Sequence, residues 1–187
     1  MNPYLAGFLI GDGCQHRLSN GAYAVWVDQS LKNKVYVEKL IKKMQCYGKT
    51  YVYEYMDRTN KVHKIRLLVY SKKFYSEILT IKQNITKFIE ELGEEDLWSF
   101  LSGLLDSDGT VTGRIVFYSS SKELLEALSV RLNTHHVRTH IYRFGKIFGL
   151  QIHDKNSLIT LSQKLSSSKL GAPARLKNIG SRKTERL

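Results

Sequence analysis

The sequence predicts an α+β fold: two pseudo-symmetric αββαββα halves, each with an antiparallel sheet, joined by a pair of matched helices. Three observations predict it. Leu5-Ala6-Gly7-Phe8-Leu9-Ile10-Gly11-Asp12-Gly13 opens the chain, and Leu101-Ser102-Gly103-Leu104-Leu105-Asp106-Ser107-Asp108-Gly109 returns near the middle, with the final acids 96 residues apart. The order of helical and strand-like segments after the first copy repeats after the second. The length of 187 residues suits two halves of ~90 residues whose modest cores need each other. The expected halves are 1–93 and 94–187, the second ending in a basic tail, 171–187.

Each element has a local reason. Asn2 is a good helix N-cap and Pro3 a good first helical residue, so a helix runs from about 3 to 11 and stops at Asp12-Gly13. A polar segment, 15–21, follows, then a Val- and aromatic-rich strand over 22–29. Val37, Leu40, Ile41 and Met44 share a helical stripe within 34–47, and Gly48 stops it. Residues 51–55 and 63–70 read as two strands about the polar turn 57–61. Residues 73–92 read as one helix, ended by Gly93. The second motif helix, 94–107, carries Glu94, Glu95 and Asp96 at its positive end. A strand-like segment, 111–119, is broken by Gly113. Leu124, Leu125, Leu128 and Leu132 form a helical stripe. Residues 138–144 and 147–153 make a hairpin about Gly145-Lys146, and 156–170 reads as the last helix.

Composition narrows the function. Net charge is +12, with +7 from residues 1–93 and +5 from 94–187. The basicity belongs to the whole body and points to a polyanion, nucleic acid above all. No run of ~18 apolar residues exists, so no membrane span is expected. The Met-Asn-Pro start lacks a basic, apolar leader, so no secretory signal is expected. Cys14 and Cys46 fit neither zinc spacing nor a disulfide framework and are expected to be reduced, partly buried thiols. An intracellular location, cytoplasm or nucleoid, follows from both points. His135-His136 reads as a surface turn.

The duplicated motif carries the chemistry. Gly7 and Gly11 lie on one face of the first helix, and Gly103 and Ser107 on the matching face of the second. Glycine inside a helix costs ~1 kcal/mol relative to alanine, and close helix–helix approach is its usual compensation. Packed on these faces, the helices bring Asp12 and Asp108 together at their C-terminal ends. Two adjacent carboxylates repel, and two negative dipole ends add to the repulsion. A divalent cation resolves the conflict, and hard oxygen ligands suit Mg²⁺. On a basic body such a site points to phosphodiester hydrolysis. Asp106 has no counterpart, because Ile10 holds that place; it is expected to be solvated or supporting rather than a primary ligand. In the fourth strand of the first half, Lys64, Arg66, Tyr70 and Lys72 share one parity against Ile65, Leu67 and Val69. In the second half, Gln151, His153 and Lys155 oppose Leu150 and Ile152. A polar face over an apolar one fits a sheet lying in a DNA groove. Gln15, Arg17, Tyr53, Tyr55, Arg138, His140 and Tyr142 are further candidates to touch bases or phosphates.

These residues resemble the LAGLIDADG homing endonucleases, in the single-chain type with two motifs, over almost the whole chain. The resemblance implies two saddle-shaped antiparallel sheets straddling DNA. It implies an intron-encoded, monomeric, site-specific endonuclease that cuts both strands of a long asymmetric target using Mg²⁺ or Mn²⁺. Asp12 and Asp108 would be the metal-binding catalytic acids. Gln29 matches the Gln that the family often carries beside the cleavage site, and the second half offers Ser119 or Ser120 there. A basic residue near each site is also common, and Lys72 and Lys155 are the candidates. The alternative is a nucleic-acid-binding module without cleavage, either an intron RNA maturase or a cleavage-dead DNA-binding regulator. Retention of both acids argues against the regulator. An intein is not expected, because the motif starts four residues into the chain.

Overall fold

The computed structural model describes residues 1–31, 34–59, 61–167 and 169, with backbone alone at 34–36. The expected basic tail lies outside the described residues. Elements run α1 (Pro3–Asp12), β1 (Gly13–Arg17), β2 (Tyr23–Ser30), α2 (Lys34–Met44), β3 (Thr50–Asp57), β4 (Val62–Tyr70), α3 (Lys72–Gln83) and α4 (Ile85–Glu91). Then follow α5 (Glu94–Asp108), β5 (Thr110–Val111), β6 (Ile115–Ser119), α6 (Lys122–Thr134), β7 (His140–Phe144), β8 (Ile147–Ile152) and α7 (Lys155–Lys164). The strands form two antiparallel four-stranded sheets, ordered β1-β2-β4-β3 and β5-β6-β8-β7. The αββαββα order therefore holds twice, with an added short helix, α4, between the copies.

Caps fix most helix starts. The Asn2 side chain accepts from the Leu5 N–H, Ser71 from Phe74, Ser121 from Leu124 and Asp154 from Ser157, each removing one orphan donor. Helices cover one face of each sheet. Under the first sheet, Leu5, Phe8 and Leu9 of α1 pack with Val25, Val27, Leu67, Val69, Leu40 and Phe74. Under the second, Leu101, Leu104 and Leu105 of α5 pack with Ile115, Phe117, Leu150, Ile152 and Leu128. Strand alternation follows: Ile65, Leu67 and Val69 are buried, while Lys64, Arg66 and Leu68 between them are half-exposed.

Several boundaries differ from the sequence reading. The helix expected over 73–92 is two helices. Asn84 breaks it, with φ −125 and ψ 39, its side-chain amide donating to the Thr80 carbonyl and its backbone N–H to Thr80 and Ile81. An Asn that satisfies the last carbonyls competes with helix continuation. Helix α2 ends at Met44 and tightens into a 3-10 turn, Gln45–Tyr47. Helix α7 stops at Lys164 instead of reaching residue 170. Strand β1 occupies part of the segment read as a polar connection, because Gly13 pairs with Val27 directly after the helix. Cys14 and Cys46 are exposed rather than partly buried, the first on an edge strand and the second in the 3-10 turn. Among the described residues, no helix is long and apolar enough to cross a membrane.

Candidate active site and nucleic-acid face

Helices α1 and α5 meet backbone to backbone. A Cβ on Gly7 would overlap the Phe100 carbonyl, and one on Gly103 would overlap the Tyr4 carbonyl and lie 2.9 Å from the Phe8 nitrogen. One turn on, a Cβ on Gly11 would run into the Ser107 hydroxyl and stand 3.3 Å from Asp108 Oδ2. Any side chain at Gly7 or Gly103 would push the helix backbones apart, and one at Gly11 would displace the Ser107 side chain. Both helices end at their aspartates, where the N–H of Gly13 donates to Leu9 and that of Gly109 to Leu105. The carboxylates of Asp12 and Asp108 come within hydrogen-bonding reach of each other. Burial first, then the charge of Asp12 and the hydrogen bond with it, push the Asp108 carboxyl up from 3.8 to about 6; Lys169 opposes this. The two acids thus face each other at the foot of the helix pair, where a positive charge is wanted.

Neighbouring groups differ between the two acids. Gln29, 5% exposed, donates from Nε2 to Asp12 Oδ2 at 2.7 Å. In the second sheet Ser119 holds the matching register, and its hydroxyl accepts from the Ser121 N–H. Lys169 comes back to the second acid after α7. Its Nζ donates to the carbonyls of Ser107 at 2.9 Å and Gly109 at 2.7 Å, on either side of Asp108. Burial lowers its pKa, and Asp106, Asp12 and Asp108 oppose that. Lys82, at the end of α3, donates to the Gly13 carbonyl at 3.3 Å, beside Asp12. Neither lysine was singled out in the sequence. Asp106 is not solvated: it is 1% exposed and accepts from the Tyr4 hydroxyl at 2.8 Å and the Ser167 hydroxyl at 2.6 Å. It ties α1, α5 and the segment carrying Lys169 into one buried joint.

The structure does not bring Lys72 or Lys155 to the acids. Lys72 opens α3 at 5.9 Å from the Tyr23 ring, six residues from Gln29 along β2, which is ~20 Å of strand. Lys155 opens α7 beyond Ile152, whose partner Ile115 sits at the turn of the β5–β6 hairpin, away from Asp108. In both halves the residue after the fourth strand lies at the far end of the sheet.

Register sorts the remaining candidates by face. On the open side of the first sheet, Trp26 and Asp28 lie beside Lys64, Arg66 and Leu68, with Tyr51, Tyr53 and Tyr55 on β3. Tyr70 shares that side. Gln15 and Arg17 do not: they pair with Val25 and Tyr23 on the helix side, and Arg17 stacks on Tyr23 at 5.5 Å. On β1 it is Cys14 and His16 that share the open side. In the second sheet His140, Tyr142 and Gln151 share the open side with Tyr118, and Arg114 donates to Gln151 at 3.2 Å. Tyr142 lies over Gly149, where a Cβ would come within 2.8 Å of its hydroxyl. Arg138 and His153 flank β7 and β8 and are exposed. His135 and His136 form the turn that ends α6, with His135 against Trp98.

Comparison with known proteins fits this geometry. Residues 95–165 match the family model of a LAGLIDADG-like domain. The homing endonuclease I-DmoI, in a complex with DNA and Mn, superposes with a TM-score of 0.67 at 23% identity, covering 89% of this chain and 96% of that one. The homing endonuclease I-WcaI, bound to its DNA recognition sequence, gives a TM-score of 0.66 at 17% identity over 95% of this chain and 84% of that one. This is the LAGLIDADG fold. The N-terminal LAGLIDADG domain of DUF199/WhiA also shares it, with a TM-score of 0.58 at 17% identity over 97% of this chain and 82% of that one. A probable translation initiation factor IF-2 from Methanocaldococcus jannaschii is 30% identical over 150 residues; the match takes in 78% of this chain and spans 12% of that protein's length.

Within this LAGLIDADG frame the donor set fits a hard divalent cation. Two carboxylates face one another at two negative helix ends, with Asp108 held well above its ordinary value, and a dication would relieve that repulsion. Among the described residues no group of three or more His, Cys, Asp and Glu gathers. A cation here would complete its shell with water and phosphate oxygens, as Mg²⁺ commonly does.

Proposed function

We propose that this chain is a monomeric, site-specific endonuclease that hydrolyses phosphodiesters in both strands of duplex DNA with Mg²⁺ or Mn²⁺. The observation that carries the reading is the meeting of Asp12 and Asp108 at the joined ends of α1 and α5, between two sheets with polar, aromatic open faces. Asp12 and Asp108 would hold the cation, which when bound supplies charge neutralisation and an activated water. Gln29 fixes one oxygen of Asp12 and sets the direction of the other. Lys169 holds an ammonium beside Asp108, and Lys82 holds one beside the backbone after Asp12. In this reading the halves, 1–93 and 94–187, each bind one part of a long asymmetric target. The chain would act on the uninterrupted host-gene sequence, the one that its own intron splits on insertion.

The test is cleavage of a plasmid library of randomised inserts with Mg²⁺. The unmodified protein should select and cut one sequence in both strands. Asp12→Asn and Asp108→Asn should each lower cutting at least ~100-fold while duplex binding persists. Selective binding without cutting under both Mg²⁺ and Mn²⁺ would overturn the nuclease reading and leave a binding module.

A further inference from the structure

We propose that Arg66 reads a guanine in the half-site under the first sheet, and that Asp28 aims it. The proposal rests on the reading of the sheets as a duplex-DNA interface. Asp28 on β2 and Arg66 on β4 are direct cross-strand partners on the open face. Arg66 Nε donates to Asp28 Oδ1 at 2.7 Å, and Nη2 donates to Oδ2 at 2.7 Å. That parallel pair consumes the Nε–H and one Nη2–H. Both Nη1 hydrogens and the second Nη2 hydrogen lie outside that pair, with the Tyr55 hydroxyl close enough to take at most one of them. Those remaining donors form the end of the guanidinium fork, which matches O6 and N7 of guanine in the major groove.

The surroundings hold this fork in one plane. The guanidinium carbon lies 5.3 Å from the Trp26 ring centroid and 5.4 Å from that of Tyr55. The Tyr55 hydroxyl is within hydrogen-bonding reach of both members of the pair. Arg66 is 38% exposed and Asp28 23%, so the free end can be reached from outside. A carboxylate on a surface that meets phosphates has an electrostatic cost, and a half-exposed ion pair returns little stability. Orienting a reader explains its place better than holding two strands together. Lysine would supply only a point charge there. In the second sheet the matching cross-strand pair is Tyr118 with Gly149, so the preference belongs to one half-site only.

Binding selection from a randomised duplex pool, without divalent metal, tests this with the unmodified protein, Arg66→Lys and Asp28→Asn. The unmodified protein should demand guanine at one position of one half-site. Arg66→Lys should flatten that position by about 10–100-fold while other positions and the salt dependence stay, because the charge is kept. Asp28→Asn should weaken the same position and no other. Preference retained at the other positions shows that each variant is folded. If Arg66→Lys selects the same bases as the unmodified protein, Arg66 is only a strand-to-strand ion pair and the proposal fails. If the unmodified protein enriches no sequence, the DNA-interface reading fails first.

Discussion

At the scale of single residues, Asp108 shows how geometry sets chemistry. The residue is exposed at the helix end, yet the flanking structure and the adjacent Asp12 push its carboxyl up from 3.8 to about 6. Between these values the folded protein keeps a proton that the unfolded chain has released. The stability this proton contributes is complete below pH ~4 and is lost as pH rises through about 6. The raw shift would be worth ~3 kcal/mol, but the group is open enough to solvent that about 1 kcal/mol is the expected effect. Urea denaturation in EDTA at pH 4 and pH 7.5 measures it. The unmodified protein should lose about 1 kcal/mol more across that interval than Asp108→Asn does, and Mg²⁺ should narrow the gap. Identical pH profiles for the two would mean that the acids do not crowd each other. Asp106 shows the opposite design: another aspartate, far more buried, it is satisfied by hydroxyl donors from Tyr4 and Ser167 and serves as a joint.

At the scale of elements, the helix pair was the most legible part of the chain. Gly7, Gly11, Gly103 and Ser107 announce their contact because a glycine face has a cost inside a helix and recurs at the same spacing in both copies. The structure returns that contact directly, with Gly103 against the Tyr4 carbonyl. Gly103→Ala should therefore destabilise the fold by ~3 kcal/mol or more, since backbone rather than a flexible side chain must yield; denaturant titration checks this, with a cost below ~1 kcal/mol counting against backbone contact. Other features were hidden for physical reasons. A short polar segment has no alternation to show its face, so Gln15 and Arg17 read as candidates to touch DNA, whereas the pairing of Gly13 with Val27 sets them on the helix side. Lys169 reaches the acids, and Lys82 the backbone after Asp12, only because the segment after α7 and α3 run back to the ends of the motif helices. That return is tertiary, and no local spacing records it. Lys72 and Lys155 follow their strands in matched positions, yet matched sequence positions lead to the outer end of each sheet.

At the scale of the whole molecule, charge divides into two kinds of work. Cations within the first sheet's open face have acid partners: Arg66 pairs with Asp28, and Lys64 with Asp57 at 2.6 Å. Such pairs are poorly placed to neutralise phosphate and well placed to orient donors. The hairpin ends differ. Lys49, Arg58 and Lys61 in the first half and Arg143 and Lys146 in the second are exposed at the sheet margins, where a duplex backbone would pass. If these five cations carry the phosphate contacts, log affinity should fall with log salt at a slope of about −4 to −5, a loss of about 10²–10³ between 50 and 200 mM. Fluorescence anisotropy with the selected duplex measures the slope. Replacing Arg143 and Lys146 by Gln should weaken binding to every sequence and make the slope shallower by about 2, with base preference unmoved. An unchanged slope in that double variant would remove the second hairpin from the phosphate contacts, and a flat slope in the unmodified protein would detach the net charge of +12 from DNA altogether. The contrast with Arg66→Lys is the useful one: it should shift preference without touching the slope, so the two experiments separate reading from holding within a single protein.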